Sequence, residues 1–275
     1  MSTVVDSKTT LVALQGLRSA NADINKASER LATGLRINKA GDDPAGFGKA
    51  SALKAQIGSF VQVKKNIAGA VSDLDKVGGA LTNISDFLVE MRTMAMAAAS
   101  ETDTGILAAY QSSFDELRTG INQLAANTKF GDDAVLSAAT TTKTVQIGIN
   151  SGEVKSMSFT AATATALSIN TLSLATAAGA RTALSALDSA IETISSRLAT
   201  VGGYQASLEV SSELADANIL SRTTQYRDIM DADLAVEATN LAAARIRQDA
   251  STAVLAQANS MNRTITDYLL SGAVG

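Results

Sequence analysis

A four–three pattern runs unbroken through Leu53, Ile57, Phe60, Lys64, Ile67, Val71, Leu74, Gly78, Leu81, Ser85, Leu88, Arg92 and Ala95. A repeat sustained over this length is the seam of a helix lying lengthwise on another helix. Read as one helix to about Ala98, the segment is roughly 75 Å long. A compact globule does not hold such an element, so the chain must be built by slender helix-on-helix packing. Aromatic residues make up only 4% of the chain and Trp is absent. The large rings that bury most area per residue are therefore scarce, and Ala, Leu, Ile, Val and Ser must fill the seams. Gly78-Gly79, near the middle, is expected to weaken the helix or admit a close neighbour.

The same spacing recurs elsewhere. Between Thr9 and Leu35 the seam reads Leu14, Leu17, Asn21, Ile24, Ser28, Leu31 and Leu35. Glu101-Thr102-Asp103-Thr104-Gly105 is a loop and a new helix cap. The stripe Leu107, Tyr110, Phe114, Leu117, Ile121 and Leu124 follows it and ends near Asn127. From about Ala178 the pattern returns at Leu184, Leu187, Ile191, Ile194, Leu198, Val201, Gln205, Leu208, Ser212, Ala215 and Ile219, with Gly202-Gly203 inside it. The last helical stretch carries Leu255, Ala258, Asn262, Ile265 and Leu269.

Two long helical patterns are separated at Gly34-Leu35-Arg36-Ile37-Asn38-Lys39-Ala40-Gly41-Asp42-Asp43-Pro44-Ala45-Gly46. One helix should end near Gly34. Asp42 and Asp43 are good caps for the next, and Pro44, the only proline, suits a first helical position because the N–H it lacks has no partner there. Ile229-Met230-Asp231-Ala232-Asp233 reads as a second connector with a new cap.

The period changes to two in the middle of the chain. Val145, Ile147 and Ile149 alternate with polar residues or Gly, Asn150-Ser151-Gly152 can turn the chain, and Val154 to Phe159 alternate back. A β-hairpin is expected. Phe130-Gly131-Asp132-Asp133 reads as a turn. No charge occurs between Ser156 and Ala180, where Ser, Thr and Ala dominate; a short irregular surface region is expected there.

The fold class is therefore mainly α: a long antiparallel helical bundle or coiled coil with a small β-hairpin tip and with its N- and C-terminal helices paired. Residues 1–43 and 234–275 form the paired terminal helices. Residues 44–233 form a helical rod whose hairpin and loop lie at about 130–176. A pair of narrow-striped helices leaves its remaining Ala, Val and Leu surface open, which invites other copies of the chain.

Composition excludes several functions. The net charge is −4 with no basic block, which argues against nucleic acid. Cys and His are absent, removing thiol chemistry and the commonest general base and transition-metal ligand. No nucleophile elbow, P-loop or dinucleotide loop is present. Asp42-Asp43 and Asp231/Asp233 could ligate a hard cation, but both pairs sit at helix entries, where carboxylates cap. Glu90, Glu101 and Glu209 read as solvated helix faces rather than an acid/base pair. Met91, Met94 and Met96 read as core and contact surface rather than a copper site. No catalytic, metal or cofactor residue is expected. No apolar run approaches the ~18 residues that span a bilayer, so no membrane insertion is expected. The N-terminus lacks the basic-then-apolar layout of a secretory signal.

Glu29-Arg30-Leu31-Ala32-Thr33-Gly34-Leu35-Arg36-Ile37-Asn38-Lys39-Ala40-Gly41-Asp42-Asp43-Pro44-Ala45-Gly46 resembles the R-L-S-S-G-L-R-I-N-S-A-K-D-D-A-A-G run of bacterial flagellins. Gln146-Ile147-Gly148-Ile149-Asn150-Ser151-Gly152 is similar to that family's Q-I-G-x-N-x-G hairpin. Asp231-Ala232-Asp233-Leu234-Ala235-Val236-Glu237 and Leu255-Ala256-Gln257-Ala258-Asn259 resemble its D-A-D-x-A-x-E and L-A-Q-A-N.

The resemblance implies a self-assembling subunit of the bacterial flagellar filament, an extracellular tube for swimming. The paired terminal helices would line the inner core and the rod the outer core. Residues 131–176 leave no room for the family's large outer domains. Export would follow the flagellar type III route without a cleaved signal. Partners would be other copies of the chain, an export chaperone, the filament cap and hook-junction proteins. Leu14, Leu17, Ile24, Leu31, Leu255, Ala258, Ile265 and Leu269 would pack the terminal helices or neighbouring copies. Gly34, Asp42, Asp43 and Pro44 would form the junction between terminal helix and rod. The ending Asp267-Tyr268-Leu269 and the Asp-Asp-Pro break also resemble the hook–filament junction protein, the alternative within the same organelle. The patch read by an innate-immune receptor on many flagellins aligns with Met91, Arg92 and Thr93, where Thr93 replaces an acidic residue; weak recognition follows. Residues 137–176 are either an O-glycosylated segment, as in some flagellins, or an unmodified polar loop.

Overall fold

The computed structural model describes the backbone of residues 2–272 and the side chains of residues 8, 10–261, 263 and 264. In chain order the elements are α1 (Ser2–Thr33), α2 (Pro44–Ala98), α3 (Thr104–Asn127), β1 (Lys129–Phe130), β2 (Asp133–Ala134), β3 (Thr140–Gln146), β4 (Val154–Thr160), α4 (Ala177–Met230) and α5 (Leu234–Gly272). The fold is mainly α with a small antiparallel strand pair, as the periodicity implies. The chain divides into two compact units: a terminal unit of Met1–Ala55 with Arg222–Gly275, and a central unit of Gln56–Ser221.

In the central unit α2 and α4 run antiparallel in one register, fixed by Lys64–Asp216, Asp75–Gln205 and Arg92–Asp188. α2 buries Phe60, Val63, Ile67, Ala70, Leu74, Val77, Leu81, Ile84, Leu88, Met91, Ala95 and Ala98. One column of this seam is the expected one, Phe60 through Ala95. The other falls one residue earlier than expected: Val63, Ala70, Val77, Ile84 and Met91 are inside, not Lys64, Val71, Gly78, Ser85 and Arg92. Both columns satisfy the period. Only the observed one leaves Lys64 and Arg92 at the surface, where they pair with Asp216 and Asp188.

The glycine pairs do not interrupt either helix. Each Gly costs ~1 kcal/mol in helix propensity, which the continuous buried seam on either side outweighs. α3 presents the expected stripe, with Leu107, Phe114 and Ile121 buried and Tyr110, Leu117 and Leu124 packed beside them. Asp103 caps it by accepting from the Gly105 and Ile106 amides.

β3 and β4 pair from Thr140↔Thr160 to Gln146↔Val154, so the hairpin starts before Val145. Val145, Met157 and Phe159 point into the core, while Thr140, Thr142, Thr144, Ser156, Ser158 and Thr160 form the exposed face. Two amides in the turn hold Glu153: the backbone and side-chain N–H groups of Asn150 both donate to its carboxylate, keeping it below its ordinary pKa. β1 and β2 form a second, minimal hairpin around Gly131 at φ 63°.

The uncharged segment after β4 corrects the surface-loop expectation. Ala162, Ala164, Leu167, Ile169 and Leu174 are buried in the central core, and Ala161 is buried beside them in sequence. Its amides are met by side chains of α3, Asn122 accepting from Ala164 and Gln111 from Leu174. The lack of charge marks burial, because an irregular segment can enter a core only if its backbone is satisfied and it brings no charge.

Candidate assembly interface

The terminal unit is built on α1 and α5, which run antiparallel. Arg30 pairs with Glu237 at 2.7 Å, Asp23 with Arg247 at 2.8 Å, and the Gln248 amide donates to Asn21 at 2.7 Å. Glu237 apart, the described residues fully buried between them are small. α1 contributes Ala13, Ala20 and Ala27, one every seventh position; α5 contributes Ala244 and Ala258. Alanines bring the backbones together: α1 and α5 approach repeatedly within 8 Å Cα to Cα, whereas α2 and α4, which meet through larger side chains, scarcely do.

This packing shifts the expected α1 seam. Leu17, Ile24 and Leu31 border it, half-buried, as does Leu255 on α5, and Ala258 is buried. Leu14 lies outside it, 42% exposed, and Asn21 and Ser28 are exposed. The seam runs through the alanines one position earlier, because the closest helix approach selects the smallest residues. Ile265 and Leu269 lie outside the described residues. Around the seam a broad apolar surface remains open: Leu11, Val12 and Leu14 on α1, and Ile246, Val254 and Met261 on α5.

The segment after α1 is a compact connector. Gly34 adopts φ 71° and its amide donates to the Arg30 carbonyl, ending α1 as a left-handed cap. The chain then pairs with the α4–α5 connector. Leu35 bridges Asp231, the Arg36 amide donates to the Met230 carbonyl, the Ala232 amide to the Gly34 carbonyl, and the Arg36 guanidinium to the Ile229 carbonyl. Ile37 is buried against Ala50 and Met230.

Asp42 accepts from the Asn38 and Lys39 amides, which hold its carboxyl below the ordinary range. Asp43 accepts from the Gly46 amide at the start of α2, and Pro44 is that helix's first residue. Asp233 caps α5 through the Ala235 and Val236 amides. Of the carboxylates that could have been metal ligands, Asp43 and Asp233 thus satisfy helix-end donors, and Asp42 holds amides of the connector. Among the described residues no group of three or more His, Cys, Asp or Glu could hold a metal ion, and no helix is long and apolar enough to cross a membrane.

Two constrained positions are not marked by periodicity or charge. A Cβ on Gly46 would lie 2.4 Å from the Asp43 carboxylate and 2.8 Å from the Ile37 side chain; its place in the Asp-Asp-Pro-Ala-Gly run was the available signal. Glu237 is buried, with its carboxylate on Arg30 and Asn240. In the central unit, Met91 is in the core, Arg92 pairs with Asp188 at 2.6 Å, and the Thr93 hydroxyl donates to the Glu90 carbonyl. Met96 is half-exposed, so the methionines do not converge on one site.

Comparison with known proteins bears on what this interface serves. The bacterial flagellin N-terminal helical region matches residues 6–141, and the bacterial flagellin C-terminal helical region matches residues 184–269. A flagellin of Halalkalibacterium halodurans is 30% identical over 94% of this chain and 97% of its own. Flagellin FljM of Caulobacter vibrioides is 30% identical over 93% of this chain and 94% of its own. A chain described as a flagellar hook-associated protein of Vibrio parahaemolyticus shares the fold, with a TM-score of 0.57 at 16% identity over 69% of this chain and all of that one. At that identity the likeness shows the fold alone, and the junction-protein alternative is not favoured. With both of its helical ends matched and a flagellin aligned along nearly its whole length, this chain belongs to the bacterial flagellin family.

Proposed function

We propose that the open apolar surface of the α1–α5 pair is what builds this chain into the filament. As a flagellin, the chain is a structural subunit of the bacterial flagellar filament, an extracellular appendage. The carrying observation is the seam itself. Ala13, Ala20, Ala27, Ala244 and Ala258 bury little apolar area each, at about 25 cal/mol per Å², while ordering a residue costs ~1–2 kcal/mol. The pair is therefore weak alone, and Leu11, Val12, Leu14, Ile246, Val254 and Met261 remain to be covered. Other copies of the chain supply that cover, with Leu17, Ile24, Leu31, Leu255 and Ala258 closing the pair and Ile265 and Leu269 extending it.

In this reading residues 1–43 and 234–275 form the inner core of the filament and 44–233 the outer core, with Gly34, Asp42, Asp43 and Pro44 setting the junction. Export proceeds by the flagellar route without a cleaved signal, served by a chaperone, the cap and hook-junction proteins. The lack of Cys and the single Pro suit a chain threaded unfolded, since no crosslink or slow isomerisation delays it.

Seeding purified chain with short filament fragments, beside a truncation lacking Thr264–Gly275, tests the reading by electron microscopy. Long filaments from the full chain and none from the truncation are expected. Binding only at seed ends, without growth, would shift the assignment to a junction protein. We further infer weak recognition by the innate-immune flagellin receptor, because Arg92 is held by Asp188 and its neighbour Thr93 carries no charge. A reporter-cell response equal to that of an enteric flagellin would refute it.

A further inference from the structure

A cleft of about 640 Å³ lies between the exposed edge of the β3–β4 hairpin and α4 in the central unit. Its floor is apolar, formed by Leu81, Leu136, Phe159 and Val201. Ser158, Thr160 and Ser196 add hydroxyls to the walls. Arg197 supplies the cation. Its guanidinium donates to the Ala161 carbonyl and makes no ion pair among the described residues. Partial burial pushes its pKa down, the sign of a charge that has given up water without gaining a counter-ion. Glu192 also lines the cleft, but is exposed and does not pair with Arg197.

One turn and more along the same helix lies a surface of matching chemistry. Val210 and Leu214 are each 64% exposed. Glu209 and Glu213 flank them, exposed and without an ion pair among the described residues. Glu213, Val210 and Leu214 repeat by heptads the positions of Glu192, Ser196 and Thr200, so they continue the cleft-lining side of α4 toward its C-terminus, and Glu209 lies at the edge beside Lys64 and Gln205. Two carboxylates beside two large apolar side chains complement one guanidinium above an apolar floor. Because donor and acceptor surfaces are separate stretches of α4, a copy that gives one can still receive the other. Contacts of that kind are heterologous, and they generate open-ended assemblies rather than closed dimers.

We propose that the cleft under the β3–β4 hairpin receives the Glu209–Val210–Glu213–Leu214 face of α4 from a second copy of this chain. The docked carboxylates neutralise Arg197 and accept from the wall hydroxyls, and Val210 and Leu214 cover the apolar floor. The inference rests on the filament reading, and names one contact within it.

The test is seeded growth of the full-length chain with reversed charges, followed by light scattering and electron microscopy. Glu209→Arg/Glu213→Arg alters only surface positions and is expected to keep its thermal unfolding while slowing growth about tenfold. Arg197→Glu is expected to slow growth similarly, and combining it with Glu213→Arg is expected to restore most of the rate. Glu90→Arg, at an equally exposed carboxylate on α2, should leave growth unchanged. Wild-type growth beside unslowed Glu209→Arg/Glu213→Arg overturns the contact. So does slowed growth that the combination does not restore, or restoration of Arg197→Glu by Glu90→Arg instead. Failure of the wild-type chain to grow at all would instead strike the filament reading.

Discussion

Arg30 on α1 and Glu237 on α5, 207 residues apart in sequence, meet at 2.7 Å beside the Gly34 cap. The Glu237 side chain is only 9% exposed and that of Arg30 22%. Asn240 donates to the second carboxylate oxygen. An ion pair this enclosed matters most when half of it is removed, since the remaining charge stays desolvated. Glu237→Ala should therefore loosen the α1–α5 pair by about 3 kcal/mol, read as a lower dissociation temperature of seeded filaments. Unfolding of the central unit should not move. An unchanged dissociation temperature would mean that the pair contributes nothing net.

Gly46 is the tightest glycine of the connector. Gly46→Ala forces the new methyl against Ile37 and the capping carboxylate of Asp43, so it should disturb the start of α2 and the Ile37 cluster at once. Gly34→Ala meets open space but must hold φ near 71°, at a cost of about 1 kcal/mol. Both variants should change filament curvature or growth, with Gly46→Ala the more severe. Swimming assays and electron microscopy check the order of severity.

Acid should act on two named carboxyls. Asp42 and Glu153 both lie below their ordinary values of 3.8 and 4.5, because amides donate to their charged forms. A depressed carboxyl adds stability that is complete above its ordinary pKa and disappears as pH falls through the folded value. The connector around Asp42 and the hairpin turn around Glu153 should thus be unchanged between pH 7 and 5, and loosen as pH falls below the ordinary values of 3.8 and 4.5 respectively. Amide shifts of Asn38, Lys39 and Asn150 followed by NMR report this. Asp42→Asn should abolish the response at Asn38 and Lys39 alone.

Helix identity was legible because a long buried stripe has a period, and α3 shows it residue for residue from Leu107 to Leu124. The seam register was harder to see. Leu14 and Ala13 both fit a four–three spacing with Leu17, and preference for the larger residue selects the wrong neighbour when the helices pack close. Lys64 against Val63 was decidable from charge alone. The segment from Ala161 to Leu174 has no period to betray its burial, and its lack of charge was the signal. Glu237 looked like a first-turn acid of α5, and only the antiparallel register brings it to Arg30.

Close packing at the alanines gives a direct prediction. Ala20 is 1% exposed in the α1–α5 seam, so Ala20→Leu must push the helices apart or leave the new side chain strained. Overpacking of this kind costs ~1–3 kcal/mol. Leu14→Ala removes an exposed side chain and leaves the pair itself intact, but takes apolar cover from any neighbouring copy. Ala20→Leu should therefore weaken the pair, while Leu14→Ala should raise only the chain concentration needed for filament growth. Critical-concentration measurements on the two variants distinguish these effects; equal behaviour would place Leu14 within the pair's own energetics.

The last prediction concerns the chain before assembly. Among the described residues, the fully buried positions of α1 and α5 are alanines and Glu237, whereas the central unit buries Phe114, Ile67, Leu74, Leu81, Ile84, Leu88, Met91 and Ile121 almost completely. Each buried CH₂ contributes ~0.8 kcal/mol, so an alanine seam offsets only a fraction of the ordering entropy of two long helices. The two units should therefore differ in protection by orders of magnitude in a dilute monomer. Hydrogen exchange is expected to be fast along residues 10–33 and 234–261 and slow along 60–98 and 180–215, with the terminal segments becoming protected once seeds are extended. Strong protection of α1 and α5 in the dilute monomer would show that the pair stands alone and that assembly does not fold it.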